Sequence, residues 1–173
     1  AADAKTGDPH IWLSPAAVLR MLPAIAAGLK NVLPAHAAAI ARRRADFARR
    51  VRALDRHIGH ELGQAATQRI VVFHPAWGYF AEHYGLEQVA IETQGKRPTA
   101  AQLDAIARQL QHSQTQQIVV QPQFSGQSAA LIAKRIGARV RSLNPLSRDW
   151  VGTMKRAAAV FTGRSPARRH AEP

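Results

Sequence analysis

At 173 residues, 46% hydrophobic and 20% charged, the chain has the composition of a globular protein large enough for one domain, or one domain plus an appendage. The lack of cysteine excludes disulfides and thiolate metal sites, and every apolar run stops well short of the roughly 20 residues that a membrane-spanning helix needs. A formal net charge of +13 points toward an anionic partner, such as nucleic acid or a membrane surface, and sets the main competing reading.

The first seven residues, Ala1 to Gly7, carry no apolar core for a signal peptide and no initiator Met, so the chain reads as mature, trimmed or a fragment. Asp8-Pro9-His10-Ile11-Trp12-Leu13-Ser14-Pro15 follows, with His10 leaving a turn, Ser14 placed as an N-cap and Pro15 at the first helical position. From 15 to 32, Val18, Leu22, Ile25, Leu29 and Val32 recur at helical spacing, although Pro23 should kink or split that helix. Asn31 and Pro34 mark a break and a restart. From about 35 to 63, Ile40, Phe47, Val51, Leu54, Ile58 and Leu62 line one stripe of a long helix whose remainder is strongly basic. Its span of about 43 Å, at 1.5 Å per residue, makes it a spine.

After Gly63 the period changes. Ile70-Val71-Val72-Phe73 runs into His74 and reads as a buried strand over Arg69 to His74, followed by a helix from Ala76 to Tyr84 closed by Gly85. A second strand spans Gln88 to Glu92, and Thr99 caps a helix carrying Leu103, Ile106 and Leu110. A third strand spans Gln117 to Gln121. Ser125 opens a helix with Ala129, Ile132 and Ile136 on one face and Gly137 at its end. Val140 to Leu143 is the fourth strand and Trp150 to Phe161 the closing helix. Strand and helix alternating at this interval predict an α/β fold: a four-stranded parallel sheet covered on both faces, with right-handed crossovers. The tail at 164–173, rich in Arg, Pro and Ala, reads as disordered.

His74 falls at the carboxyl end of a strand, where open α/β sheets bind ligands, and imidazole nitrogen is a ligand for zinc, manganese and iron. His57, His60 and Glu61 share a helix face and read as a solvated face before a metal clip. His83 reads as a partner of its helix's C-terminal dipole, and Asp149 as the start of the last helix. Trp12, Trp77 and Tyr79 read as packing around the candidate ligands. No G-x-S-x-G elbow, phosphate loop or H-E-x-x-H is present, and no nucleophile is paired with a base, so no enzyme is predicted. Nucleic acid has only the charge in its favour, with no zinc finger and no aromatic RNA-reading motif.

The stretches DPHIWLSP, VVFHPAWGYFAEHYGL and VQPQFSGQSAALIAKRIGARVRSLNPL, in this order and spacing, resemble the solute-binding proteins of zinc and manganese ABC transporters, the cluster A-I family. The resemblance covers most of residues 8 to 161. It implies that residues 1–34 are a remnant of an N-terminal lobe, 35–66 the long linking helix, and 67–163 the C-terminal lobe. It implies metal ligation by His10 and His74, with Asn144 standing where the family has the Asp of a DPL motif. Asn144 offers a neutral carbonyl oxygen, a poorer partner for a dication than a carboxylate. Histidine at position 74, where manganese-preferring members often have Glu, leans toward Zn2+, with Mn2+ second. The resemblance further implies a monomer in the periplasm or another extracytoplasmic space. Such a protein captures a divalent ion and delivers it to an ABC transporter permease in the cytoplasmic membrane, with no nucleic acid involved. The competing readings are a basic nucleic-acid-binding or scaffold domain that has lost metal transport, and an enzyme using His74 as a base.

Overall fold

The computed structural model describes residues 7–65, 69–92, 98–111 and 115–163. The tail predicted at 164–173 lies outside them. A short 3-10 turn, Ile11–Leu13, leads into helix α1, Pro15–Val32, where the Ser14 hydroxyl accepts the Ala17 N–H at 3.3 Å. Pro23 does not split α1. The proline is exposed, so water can meet the carbonyl left without a helical donor, while Ala17, Val18 and Ala26 are buried on the opposite side. The rest of the predicted apolar stripe is not core, since Ile25, Leu29 and Val32 are exposed. Helix α2, Ala37–Leu62, is the spine, and its buried stripe is Val51, Leu54, Ile58 and Leu62. Ile40 and Phe47 are only half-buried, because the N-terminal half of α2 meets α1 rather than the body of the sheet.

The remaining elements alternate: β1, Arg69–Val72; α3, Gly78–His83; β2, Glu87–Ala90; α4, Ala100–Gln111; β3, Gln117–Val120; α5, Gln127–Ile136; β4, Arg139–Ser142; and α6, Trp150–Phe161. The four strands form one parallel sheet in the order β2-β1-β3-β4. Successive residues of the inner strands go to opposite layers, which explains their unbroken apolar runs. Ile70, Val72 and Val119 join Leu54 and Ile58 of α2, Phe80 of α3 and Met154, Ala157 and Phe161 of α6. Val71, Ile118 and Val120 join Leu110 of α4 and Ala129 and Ile132 of α5. Edge strand β4 carries Arg139 and Arg141, charges that discourage pairing with another chain.

Strands β1 and β2 end two residues earlier than the sequence predicts, yet their ladder continues. The Phe73 N–H donates to Val119 O at 2.7 Å, the Ile91 N–H to Val72 O at 2.9 Å and the Glu92 N–H to Phe73 O at 2.9 Å. Helix caps follow the sequence closely at Thr99, whose hydroxyl accepts the Gln102 N–H while Gln102 Oε1 accepts the Thr99 N–H, a reciprocal capping box. Helix α5 starts later than predicted, with Gly126 rather than Ser125 at the cap, and closes on Gly137 at φ 71°.

Helix α3 is fastened to the spine through Asp55, whose Oδ1 lies 2.7 Å from the donating Tyr84 hydroxyl and 2.8 Å from His83 Nε2. Burial, and then the Asp55 hydrogen bond, push the Tyr84 phenol well above its ordinary range, so it remains a donor. Above α3, the Trp77, Phe80 and Phe161 rings meet at centroid separations of 5.3 to 5.6 Å. Phe80 is fully buried at the centre of this layer. Phe80→Ala is expected to lower unfolding stability by about 3–5 kcal/mol, read as a lower urea midpoint at unchanged slope.

Candidate metal centre

His74 stands two residues past the end of β1, at the point where the chain leaves for β2 on one side and later returns to β3 on the other. Such a switch point leaves a crevice at the carboxyl ends of the strands. The ring is half-buried and held on two sides. Its Nδ1 lies 3.3 Å from each carboxylate oxygen of Glu92, and Phe124, in the loop after β3, stacks on its face at 5.1 Å with an interplanar angle of 23°. The β1–β2 register pairs Arg69 with Glu87, an offset of 18, and the same offset puts Glu92 opposite His74. Glu92 is only 4% exposed.

His10 reaches the same place from the other end of the chain. Asp8 Oδ1 accepts the His10 backbone N–H at 2.9 Å and lies 2.6 Å from its Nδ1, a local loop that sets the ring. The two imidazoles meet edge to face, with centroids 5.1 Å apart. The following turn is fixed to the sheet domain: Leu13 is fully buried in the α2/α6 layer, the Trp12 indole donates to Pro145 O at 3.1 Å, and the Trp150 indole donates to Trp12 O at 2.7 Å. Both histidines thus have Nδ1 facing a carboxylate, and neither Nε2 has a hydrogen bond among the described residues.

Asn144 is placed differently. It is exposed, and its Oδ1 accepts from Gln123 Nε2 at 2.9 Å and from the Leu146 N–H at 3.1 Å, with neither histidine as a partner. Asp149 caps α6, accepting the Gly152 N–H at 2.9 Å and Arg156 at 3.2 Å. The Gly152 hydrogen bond, then Arg156, hold its carboxyl below the usual range. His57 and His60 are exposed on α2, where His60 meets Gln64. Among the described residues no three His, Asp or Glu side chains converge as a metal cage. The centre is therefore a pair of imidazoles, each backed by a carboxylate, with a neutral amide on the neighbouring loop.

The sequence reading missed Asp8 and Glu92 as members of this site. For Asp8 the signal was an Asx residue two places before His10, and for Glu92 it was the strand register that pairs its position with 74.

The chain matches the family model described as zinc-uptake complex component A, periplasmic, over residues 1–163. It is 42% identical over 101 residues to the high-affinity zinc uptake system protein ZnuA of Paracoccus denitrificans, covering 57% of this chain and 31% of that protein. It is 30% identical over 141 residues to the zinc-binding lipoprotein AdcA of Streptococcus pneumoniae serotype 4, covering 80% of this chain and 28% of that protein. A crystal structure of ZnuA superposes with a TM-score of 0.88 at 34% identity, over 91% of this chain and 62% of that one. The chain thus spans about a third of the length of these curated relatives.

A Cβ at Gly78 would come within 2.9 Å of Asp8 Oδ2. Gly78→Ala is expected to leave the melting temperature nearly unchanged, since the carboxylate can swing aside, but to loosen His10. Competition with a chromophoric chelator should show zinc affinity lower by up to roughly tenfold.

Proposed function

The chain belongs to the zinc-uptake complex component A family, and on that premise we propose that it binds a zinc ion outside the cytoplasmic membrane and delivers it to an ABC transporter permease. The observation that carries this reading is the His10–His74 pair, two imidazoles from distant parts of the chain with centroids 5.1 Å apart and both Nε2 atoms uncommitted. Two imidazoles sharing one tetrahedral zinc, with Zn–N near 2.0 Å, have ring centres about 5 Å apart. Zinc comes before manganese because nitrogen-rich sites suit zinc, whereas manganese favours carboxylate, carbonyl and water oxygen.

Asn144 is the candidate third donor. Its loop is tied beside the His10 turn by the Trp12–Pro145 hydrogen bond, and its oxygen would exchange the Gln123 and Leu146 donors for the ion. The ion is cargo, and the reading includes no reaction and no nucleic acid. The protein acts as a monomer. Among the described residues no helix is long and apolar enough to cross a membrane. The family match favours this reading over a basic nucleic-acid-binding or scaffold domain, which rests on charge alone. The long α2 supports release of the ion by a modest local rearrangement rather than a wide hinge motion.

Calorimetric titration of zinc and manganese into the 173-residue chain tests the assignment. Zinc is expected to bind with a Kd below about 1 μM and more tightly than manganese. His74→Ala should weaken zinc at least roughly a hundredfold, and Asn144→Asp should tighten it by about tenfold, since a carboxylate replaces a neutral oxygen. No heat from either ion in any of the three proteins would sink the reading.

A further inference from the structure

Glu92 is a buried carboxylate, and its only side-chain partner among the described residues is His74. Such a group is strongly disfavoured in a protein interior unless something there requires it. The ladder leaves it little freedom, because the Glu92 N–H is bonded to Phe73 O at 2.9 Å and the side chain leaves the sheet toward the position opposite. Both carboxylate oxygens stand 3.3 Å from Nδ1. A carboxylate can only accept, so the proton of the neutral imidazole belongs on Nδ1 and the lone pair on Nε2.

We infer that Glu92 is a positioning residue: it fixes the tautomer and rotation of His74 so that Nε2 is presented as a metal donor, and thereby sets the zinc affinity of this position. The inference rests on the reading of His74 as a ligand. Glu92 does not itself ligate the ion that His74 holds, because both its oxygens face the nitrogen across the ring from Nε2. Phe124 stacked on the ring face at 5.1 Å and His10 at the ring edge block the half-turn about Cβ–Cγ that would swing Nδ1 away from Glu92. A carboxylate behind a ligating imidazole also raises its basicity, which a neutral amide does to a lesser degree. Asp8 stands behind His10 in the same way at 2.6 Å, but in a local turn near the surface, so Glu92 is the buried member of the pair.

The test joins two readouts on the full chain: two-bond 15N–1H spectra of the metal-free protein, which report the protonated ring nitrogen, and zinc titration against a competing chelator. The native chain is expected to carry His74 in the Nδ1–H form. Glu92→Gln keeps an acceptor at the same place and should retain that tautomer, with zinc affinity reduced several-fold. Glu92→Leu removes the acceptor and should lose the Nδ1–H form, with zinc affinity lower by about 10- to 100-fold and the tautomer of His10, held by Asp8, unchanged. An Nε2–H form in the native chain, or a Glu92→Leu protein with native tautomer and native affinity, overturns the inference. Should Glu92→Leu fail to fold, native affinity in Glu92→Gln overturns it equally. A native chain that shows no zinc binding while Glu92→Leu still changes the tautomer defeats the zinc reading and leaves the positioning role of Glu92 standing.

Discussion

The parallel pairing of β1 with both β2 and β3 is the constraint on which the site depends. It makes β1 the inner strand from which the chain turns first to one side and then to the other, which opens the crevice that His74 enters. The same pairing runs on past the regular strands, through Phe73, Ile91 and Glu92, and carries a carboxylate to the far nitrogen of that histidine. Slipping β2 by one residue would turn Glu92 to the other face of the sheet and bury the wrong side chain behind the ring. A register chosen by Ile70, Val72 and Val89 for their packing thus also decides which side chain stands behind the candidate ligand His74.

His10 depends on a different set of forces. Its own turn is short, and its place beside His74 comes from burial of Leu13 and from two indole donors, Trp12 to Pro145 O and Trp150 to Trp12 O. Trp12 and Trp150 are half-buried, an indole N–H withdrawn from water usually finds a partner, and here those partners join the N-terminal turn, the Asn144 loop and α6. Trp77 is the contrast: its indole N–H is buried without a partner among the described residues, and the ring packs against Phe80 and Phe161. The three tryptophans that look alike in the sequence therefore divide between fastening the site and filling the layer beneath it.

Much of this was legible beforehand because it follows local rules. Apolar runs such as Ile70-Val71-Val72, the Thr99 capping box and the Gly137 stop each carry their structure in a few neighbouring residues. Pro23 misled, because a proline on an exposed helix face removes one hydrogen bond that water can replace, and the buried face opposite keeps the helix continuous. The Ile25, Leu29 and Val32 stripe misled for another reason: periodicity gives a face, while coverage depends on what stands opposite. Asp8 and Glu92 escaped because a carboxylate behind a histidine has no pattern in the sequence until a turn or a register brings the two together. The orientation of the Asn144 amide was beyond reach for the same reason, being set by Gln123, 21 positions away.

The charge of the chain is reconciled with the proposed cationic cargo by solvent screening. At physiological salt a surface charge is felt over about 8 Å, so the exposed guanidiniums on α2, Arg42, Arg49, Arg52 and Arg56 among them, contribute mainly to solubility and to the long-range field. Asp8 and Glu92 act at contact distance, Glu92 buried and Asp8 half-buried, where an interaction is screened less than at the surface. A dication entering between the two imidazoles, as proposed, would meet two carboxylates one ring away, whatever the sum over the surface. The net charge that first argued for an anionic partner therefore describes the outside of the protein, and the electrostatics of the site are decided by the two acidic side chains that stand behind its histidines.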